Sequence, residues 1–185
     1  MYINIKRMAL LLVAAATMLT AACSKENKES SSEISTFTAA KAELNYKIAL
    51  NAEAADALAR GYDAIIDYYD SDGTIKTSSA LNANNLTWEK NVTRTSFPAS
   101  VGFRVRFVPK NDLGGVTEDE KFYVEGTVSV IGACTSINGR KAEILKSRFV
   151  QKSGINPHNG RTYTESMQHE IKTDGNCEVR GGWPE

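Results

Sequence analysis

This 185-residue sequence predicts a mainly β domain, an antiparallel β-sandwich or an open barrel, with one amphipathic helix near residues 141–152. Three observations lead to that expectation. Between residues 42 and 131, several runs alternate apolar and polar residues with the period of a strand. Gly- and Asp/Asn-containing turn sequences separate those runs. After Arg140 the apolar spacing lengthens to that of a helix.

The first run places Ala42, Leu44, Tyr46, Ile48 and Leu50 on one face, with Glu43, Asn45 and Lys47 on the other. Ala52–Arg60 is alanine-rich, carries Glu53 and Asp56 early and meets Gly61, which suits a short helix or turn. Tyr62–Tyr69 alternates again, with Tyr62, Ala64, Ile66 and Tyr68 inward and Asp63 and Asp67 outward. Asp70-Ser71-Asp72-Gly73 is turn chemistry, and Thr74–Ser79 returns as a polar edge strand to complete a hairpin.

Thr87–Thr95 is a strand with Trp88 and Val92 on its inner face. Pro98 has no N–H to donate to a ladder and marks a corner. Val101, Phe103, Val105 and Phe107 then alternate with Arg104 and Arg106, and Trp88 with the two phenylalanines belongs at the centre of the core. Lys110–Lys121 is a polar loop. In Phe122–Ile131, residues Phe122, Val124, Gly126, Val128 and Val130 face inward, and a register slip is expected near Gly132. Asn138-Gly139 is a turn. Ala142, Leu145 and Phe149, spaced i, i+3, i+7 in a segment rich in Lys, Arg and Glu, predict the helix over Lys141–Lys152. Tyr163–Ile171 is a strand and Cys177–Val179 a short last one.

Ahead of this domain, Lys6 and Arg7 precede the apolar run Met8–Thr20, and the small residues Ala21-Ala22 precede Cys23. That is the pattern of a secretory signal, and the run is shorter than the ~20 residues that cross a bilayer as a helix. Ser24–Ser35 (SKENKESSSEIS) has too little apolar surface to fold and reads as a tether. The organisation expected is a signal peptide over residues 1–22, a lipidated cysteine and tether over 23–35, and one β-rich domain over 36–185. The chain carries 22 basic and 22 acidic residues, and removal of the leader leaves 20 and 22, a formal charge of −2. That balance excludes the basic footprint of a nucleic-acid-binding protein.

Leu19-Thr20-Ala21-Ala22-Cys23 resembles the lipobox of bacterial lipoproteins. The family places leucine three residues before the cysteine; here Thr20 stands there and Leu19 one position further back. The resemblance implies that Cys23 is acylated and becomes the mature N-terminus, so that membrane lipid is the first partner and several acyl chains supply a stable anchor. Charged residues directly after Cys23 resemble the surface-export signals of Bacteroidota lipoproteins, which implies an outer-membrane, cell-surface location. The stretch Ala42–Lys110 resembles the small immunoglobulin-like lipoproteins of Bacteroidota, through its tyrosine-rich hairpin Tyr62–Gly73, its Trp-containing strand turning at Phe97-Pro98, and the run Gly102–Phe107. Under half of the chain is covered, and the Cys-Trp-Cys core of true immunoglobulin domains is missing because Cys134 and Cys177 both follow Trp88. The resemblance implies a fold and a location but no activity.

With Cys23 acylated, Cys134 and Cys177 remain as a pair in an oxidising compartment, where a disulfide is expected. Closing that loop would contribute about 4 kcal/mol. Two buried free thiols are the alternative. Neither cysteine sits in a CxxC, so a zinc or thioredoxin-like site has no support.

No motif places a catalytic constellation, a metal or a cofactor in this chain. His158 lies in the turn sequence Asn156–Gly160 and His169 in the last long strand. Asp70, Asp72 and Gly73 are part of a calcium-loop pattern whose distal glutamate is absent, which favours a hairpin turn. The candidate binding residues are aromatic. Tyr69 and Tyr123 alternate out of phase with the inward sets of their strands, and Trp183 is third from the end. Such aromatics stack on sugars or anchor a protein partner, or else pack beneath a loop. The function expected is a non-enzymatic, membrane-anchored module that binds an envelope protein or a glycan. A structural or accessory subunit of an envelope complex is the alternative, and a hydrolase built on His158, His169, Asp63 or Asp67 stands third.

Overall fold

The structure is a computed structural model and describes residues 36–184; the leader, Cys23 and the tether lie outside the described residues. Among these, nine strands form two antiparallel sheets. They are β1 (Ala39–Leu50), β2 (Tyr62–Tyr69), β3 (Ile75–Ser78), β4 (Thr87–Arg94), β5 (Ala99–Pro109), β6 (Phe122–Ser136), β7 (Lys141–Ile155), β8 (Tyr163–Ile171) and β9 (Cys177–Val179). One sheet has the order β4-β1-β6-β7 and the other β3-β2-β5-β8-β9. Neither closes on itself, so the molecule is a sandwich and not a barrel.

The inward faces follow the alternation read from the sequence. Tyr46 of β1 meets Phe103 of β5 across the sandwich, their rings 5.9 Å apart, and Ile48 is buried in the same core. Trp88 of β4 sits 5.7 Å from Phe103 and 5.4 Å from Tyr68, which ties four strands and both sheets into one aromatic cluster. Pro98 falls where the chain leaves β4 in one sheet and enters β5 in the other. The alanine-rich connection forms one helical segment, α-helical over Ala54–Asp56 and π-helical over Ala57–Gly61. Arg60 closes it with Asp56 at 2.7 Å and lies over the Phe122 ring. The Asp70–Gly73 turn is a hairpin turn as expected: Asp70 accepts from the Ser71 N–H and pairs with Lys76 at 2.6 Å.

Two expectations are corrected. Lys141–Lys152 is not a helix; it lies within β7, which pairs with β6 from Phe122↔Ile155 to Thr135↔Lys141. The spacing Ala142, Leu145, Phe149 mixes the two faces of a strand: Ile144 and Val150 are buried, whereas Leu145 and Phe149 point outward. The helical appearance arises because the inward row also contains Arg148 and Lys152. Both pair with Glu165 of β8 in the opposite sheet, Arg148 at 2.5 Å, and so close the open side of the sandwich with charge. Inward charges on an edge strand also discourage edge-to-edge association. The slip expected at Gly132 is absent, because β1 and β6 stay in register through Leu44↔Gly132. A Cβ at Gly132 would stand 2.0 Å from the Glu43 carbonyl oxygen, so glycine here serves a close approach of two backbones.

Candidate functional site

The structure brings Tyr69 and Trp183 together and leaves Tyr123 elsewhere. On the outer face of β2-β5-β8, the Tyr69 and Trp183 rings lie 5.0 Å apart and tilted by 41°. The segment after β9 folds back to make this contact: the Arg180 N–H donates to the Gln168 carbonyl at 3.0 Å, and Gln168 Nε2 donates to the Tyr69 hydroxyl at 2.9 Å. Trp183 and its neighbours cover Tyr69, which is only 6 % exposed, so Tyr69 is a support for the indole and not a free stacking surface. Tyr123 is 50 % exposed on the outer face of β6, in the other sheet.

Beneath and beside Trp183 runs a charged network centred on Asp67, the one member that the sequence singled out. Asp67 of β2 is buried and faces outward. It accepts from Arg104 Nε at 2.9 Å, from Arg106 Nε at 3.1 Å and from Thr77 Oγ1 at 2.9 Å. Burial pushes the Asp67 carboxyl upward, and the hydrogen bonds from Arg104 and Thr77 with the two guanidinium charges outweigh it, holding Asp67 below the usual carboxylate range. Arg104 also lies over the Trp183 ring, 5.5 Å from its centroid. Alternation alone put Asp67, Arg104 and Arg106 on one face; only the register Asp67↔Arg104 made them partners. Next to this network, Gln168, Arg180, Gly181, Gly182, Trp183 and Pro184 line a depression of about 290 Å³.

A second surface lies on the opposite sheet. Ile131 of β6 pairs directly with Leu145 of β7, and Phe149 lies one outward step beyond Ser147 on the same strand. Leu145 is 66 % and Phe149 59 % exposed, so an apolar stripe runs along the outer face beside the outermost strand of that sheet. Ile131 also borders a shallow depression of about 350 Å³ over Asn45 and Asn91, whose amides are hydrogen-bonded at 2.9 Å.

The histidines and acids do not assemble. His158 Nε2 is 3.0 Å from the Val116 carbonyl and its backbone N–H donates to Asn156 Oδ1, which fastens a turn to the 110–121 loop. His169 faces inward from β8, opposite Val101, whereas Asp67 faces outward from the same sheet. Asp63 is paired with Lys110 at 2.8 Å. Both ring nitrogens of His169 lack a hydrogen-bond partner. Burial lowers its pKa first, and the Lys146 charge lowers it further; the Glu178 main chain opposes this only weakly and makes no hydrogen bond of ordinary geometry with the ring. An imidazole held neutral in the fold is protonated more easily in the unfolded chain, so stability falls as pH drops through and below the ordinary histidine value of ~6.5. His169→Met is expected to flatten the dependence of the unfolding midpoint on pH over that acid side. Thermal melts across a pH series check this; an unchanged slope in the variant would remove His169 as its source.

Cys134 is fully buried and Cys177 half-buried, and both stand as free thiols, so the bridge expected from counting cysteines is not formed in this structure. Among the described residues, no group of three or more His, Cys, Asp or Glu side chains is placed to hold a metal, and no helix is long and apolar enough to cross a membrane. Comparison of the chain with protein-family models, with curated proteins and with solved structures finds no match to any of them.

Proposed function

We propose that this chain is a lipid-anchored envelope protein of the Bacteroidota type whose sandwich is a non-enzymatic module for binding another protein. The anchor is Cys23, acylated after removal of residues 1–22. The observation that carries the binding reading is the exposed stripe Ile131, Leu145 and Phe149 beside the outer edge of β7. Apolar side chains of this size in a row mark interaction surfaces, and an edge strand accepts an additional strand through its main chain. On the outward face of β7, Lys141 and Glu143 stand at the Leu145 end of the stripe, while Arg148 and Lys152 are already paired with Glu165 on the inward side. The occupant that fits is an extended segment of an envelope protein that pairs with the β7 main chain and lays alternate apolar side chains on the stripe.

A photo-cross-linking residue placed at Phe149 of the full chain in intact cells tests this. One discrete adduct is expected, lost when Leu145→Glu is added and absent when the probe is placed at Asp63 on the outer face of the other sheet. The same adducts from both positions would overturn the reading. The anchor is tested separately by globomycin, which should accumulate a larger precursor, and by mass spectrometry of the mature N-terminus, which should begin at an acylated Cys23.

A glycan-binding reading draws on a different observation, the depression lined by Trp183, Arg180 and Gln168. An indole beside hydrogen-bonding groups suits the face of a sugar ring. It predicts no protein adduct at Phe149 and a saturable change in Trp183 fluorescence with envelope polysaccharide.

A further inference from the structure

The two domain cysteines come from opposite sheets and both face the interior. Cys134 of β6 stands in register between Ala42 of β1 and Ala142 of β7, with small side chains on both sides. Cys177 of β9 pairs with Ile171 of β8 and packs on the same core. The β8–β9 turn is fastened to the other sheet at this end of the sandwich. The Ala39 N–H donates to the Thr173 carbonyl at 2.8 Å, and Gly175, with φ of +79°, seats the Phe37 ring where a Cβ would lie 2.3 Å from its edge. Ala39 is three residues from Ala42 along β1, and Thr173 is four residues from Cys177 around the turn, so the stitch holds both cysteines at one end.

We propose that Cys134 and Cys177 close a disulfide across the two sheets, with half-buried Cys177 as the thiol that meets the oxidant and buried Cys134 as the one that resolves it. Access sets this division: Cys177 is half-buried and Cys134 fully buried, so an oxidant in solution meets Cys177 first. Burial pushes both thiols up, and at Cys177 the Lys146 charge works against that rise. The oxidant is a disulfide, whether of an exported thiol oxidase or of glutathione. The Cys177 thiolate attacks one sulfur of that bond; the S–S bond breaks, and the other sulfur leaves as a thiolate and takes up a proton. Cys134 then gives its proton to water and attacks Cys177 Sγ, breaking the mixed disulfide and releasing the second thiol. Two thiols of this chain are oxidised by two electrons, and the oxidant's disulfide is reduced to two thiols. The export implied by the leader decides where this happens; the juxtaposition of the thiols does not depend on it.

The test uses the purified, reduced chain with glutathione disulfide, followed by alkylation and peptide mass mapping. The expected product joins the peptides of Cys134 and Cys177, about 2 Da lighter than the two thiol peptides together. Its unfolding midpoint should lie about 10 °C above that of the reduced chain. Cys134→Ala should halt the reaction at a glutathione adduct on Cys177. Lys146→Gln should slow formation of that adduct severalfold and move its pH profile upward, a change that a merely structural lysine would not produce. Two thiols still open to alkylation after prolonged exposure to the oxidant, or first reaction at Cys134, would overturn the proposal. A bond that forms in the purified chain upholds it even where the chain recovered from cells is reduced, a result that would count against export instead.

Discussion

Alanine at Gly102 is expected to destabilise the domain by about 4 kcal/mol or more, near the limit of what a single substitution does. Gly102 sits in β5, between β2 and β8, with φ of +114°. A Cβ there would lie 1.8 Å from the Met167 carbonyl oxygen and 2.9 Å from its carbon. Two costs therefore combine: a backbone conformation that side chains resist, worth about 1–3 kcal/mol, and a clash with the backbone of β8 that only separation of the strands relieves. The site shares the damage, because Gly102 pairs with Gln168, which holds both Tyr69 and the segment bearing Trp183. A melting temperature lowered by ten degrees or more is the expected result, roughly 2–4 °C for each kcal/mol in a domain of this size. Gly115→Ala supplies the comparison: its φ is +83°, but nothing lies within 4 Å of its Cβ position, so only the conformational cost remains. Equal melting temperatures for the two variants would show that the β5–β8 approach is not as close as described.

Phe103→Ala is expected to cost about 3–5 kcal/mol with β2, β5 and β8 still assembled. Phe103 is fully buried and stands between Tyr46 of β1 and Trp88 of β4. Its removal leaves a cavity between the sheets and ends two ring–ring contacts, each worth ~0.5–1.5 kcal/mol beyond the buried area. Phe103→Leu keeps most of the volume and should recover more than half of the loss. Chemical unfolding with Trp fluorescence checks this, since Trp88 reports the cluster and Trp183 the outer face of the other sheet. A loss below about 1 kcal/mol for alanine would mean that the sandwich centre repacks around the void.

The strands were legible where a single face is buried. Tyr62–Tyr69 and Thr87–Arg94 have the bounds that alternation suggests to within a residue, because every second side chain must enter one core. Trp88, Phe103 and Phe107 occupy the centre for the same reason. β7 was misread because it lies at an edge. Its inward row includes Arg148 and Lys152 on either side of buried Val150, charges that a core position would reject but that Glu165 accepts at the open side. Its outward row holds Leu145 and Phe149, which an ordinary solvent face would lack. With both rows mixed, the period of two disappears from the sequence. Tyr69 and Trp183 were both singled out as aromatics off the core face, but 114 positions separate them, and nothing local indicates that they touch.

What the sequence determined by itself is therefore the kind of domain: short strands of fixed inward sets, hairpins at Asp70–Gly73 and Asn138-Gly139, and one core, since these depend on near neighbours and on burial of alternate residues. What the tertiary structure decided are the juxtapositions. Asp67 meets Arg104 and Arg106 through cross-strand register, Trp183 covers Tyr69 by a fold-back after β9, and Cys134 faces the same interior as Cys177 because a turn of one sheet is fastened to a strand of the other. Each joins residues far apart in the chain, and their meeting is fixed by how strands pair and sheets stack, which no local pattern encodes.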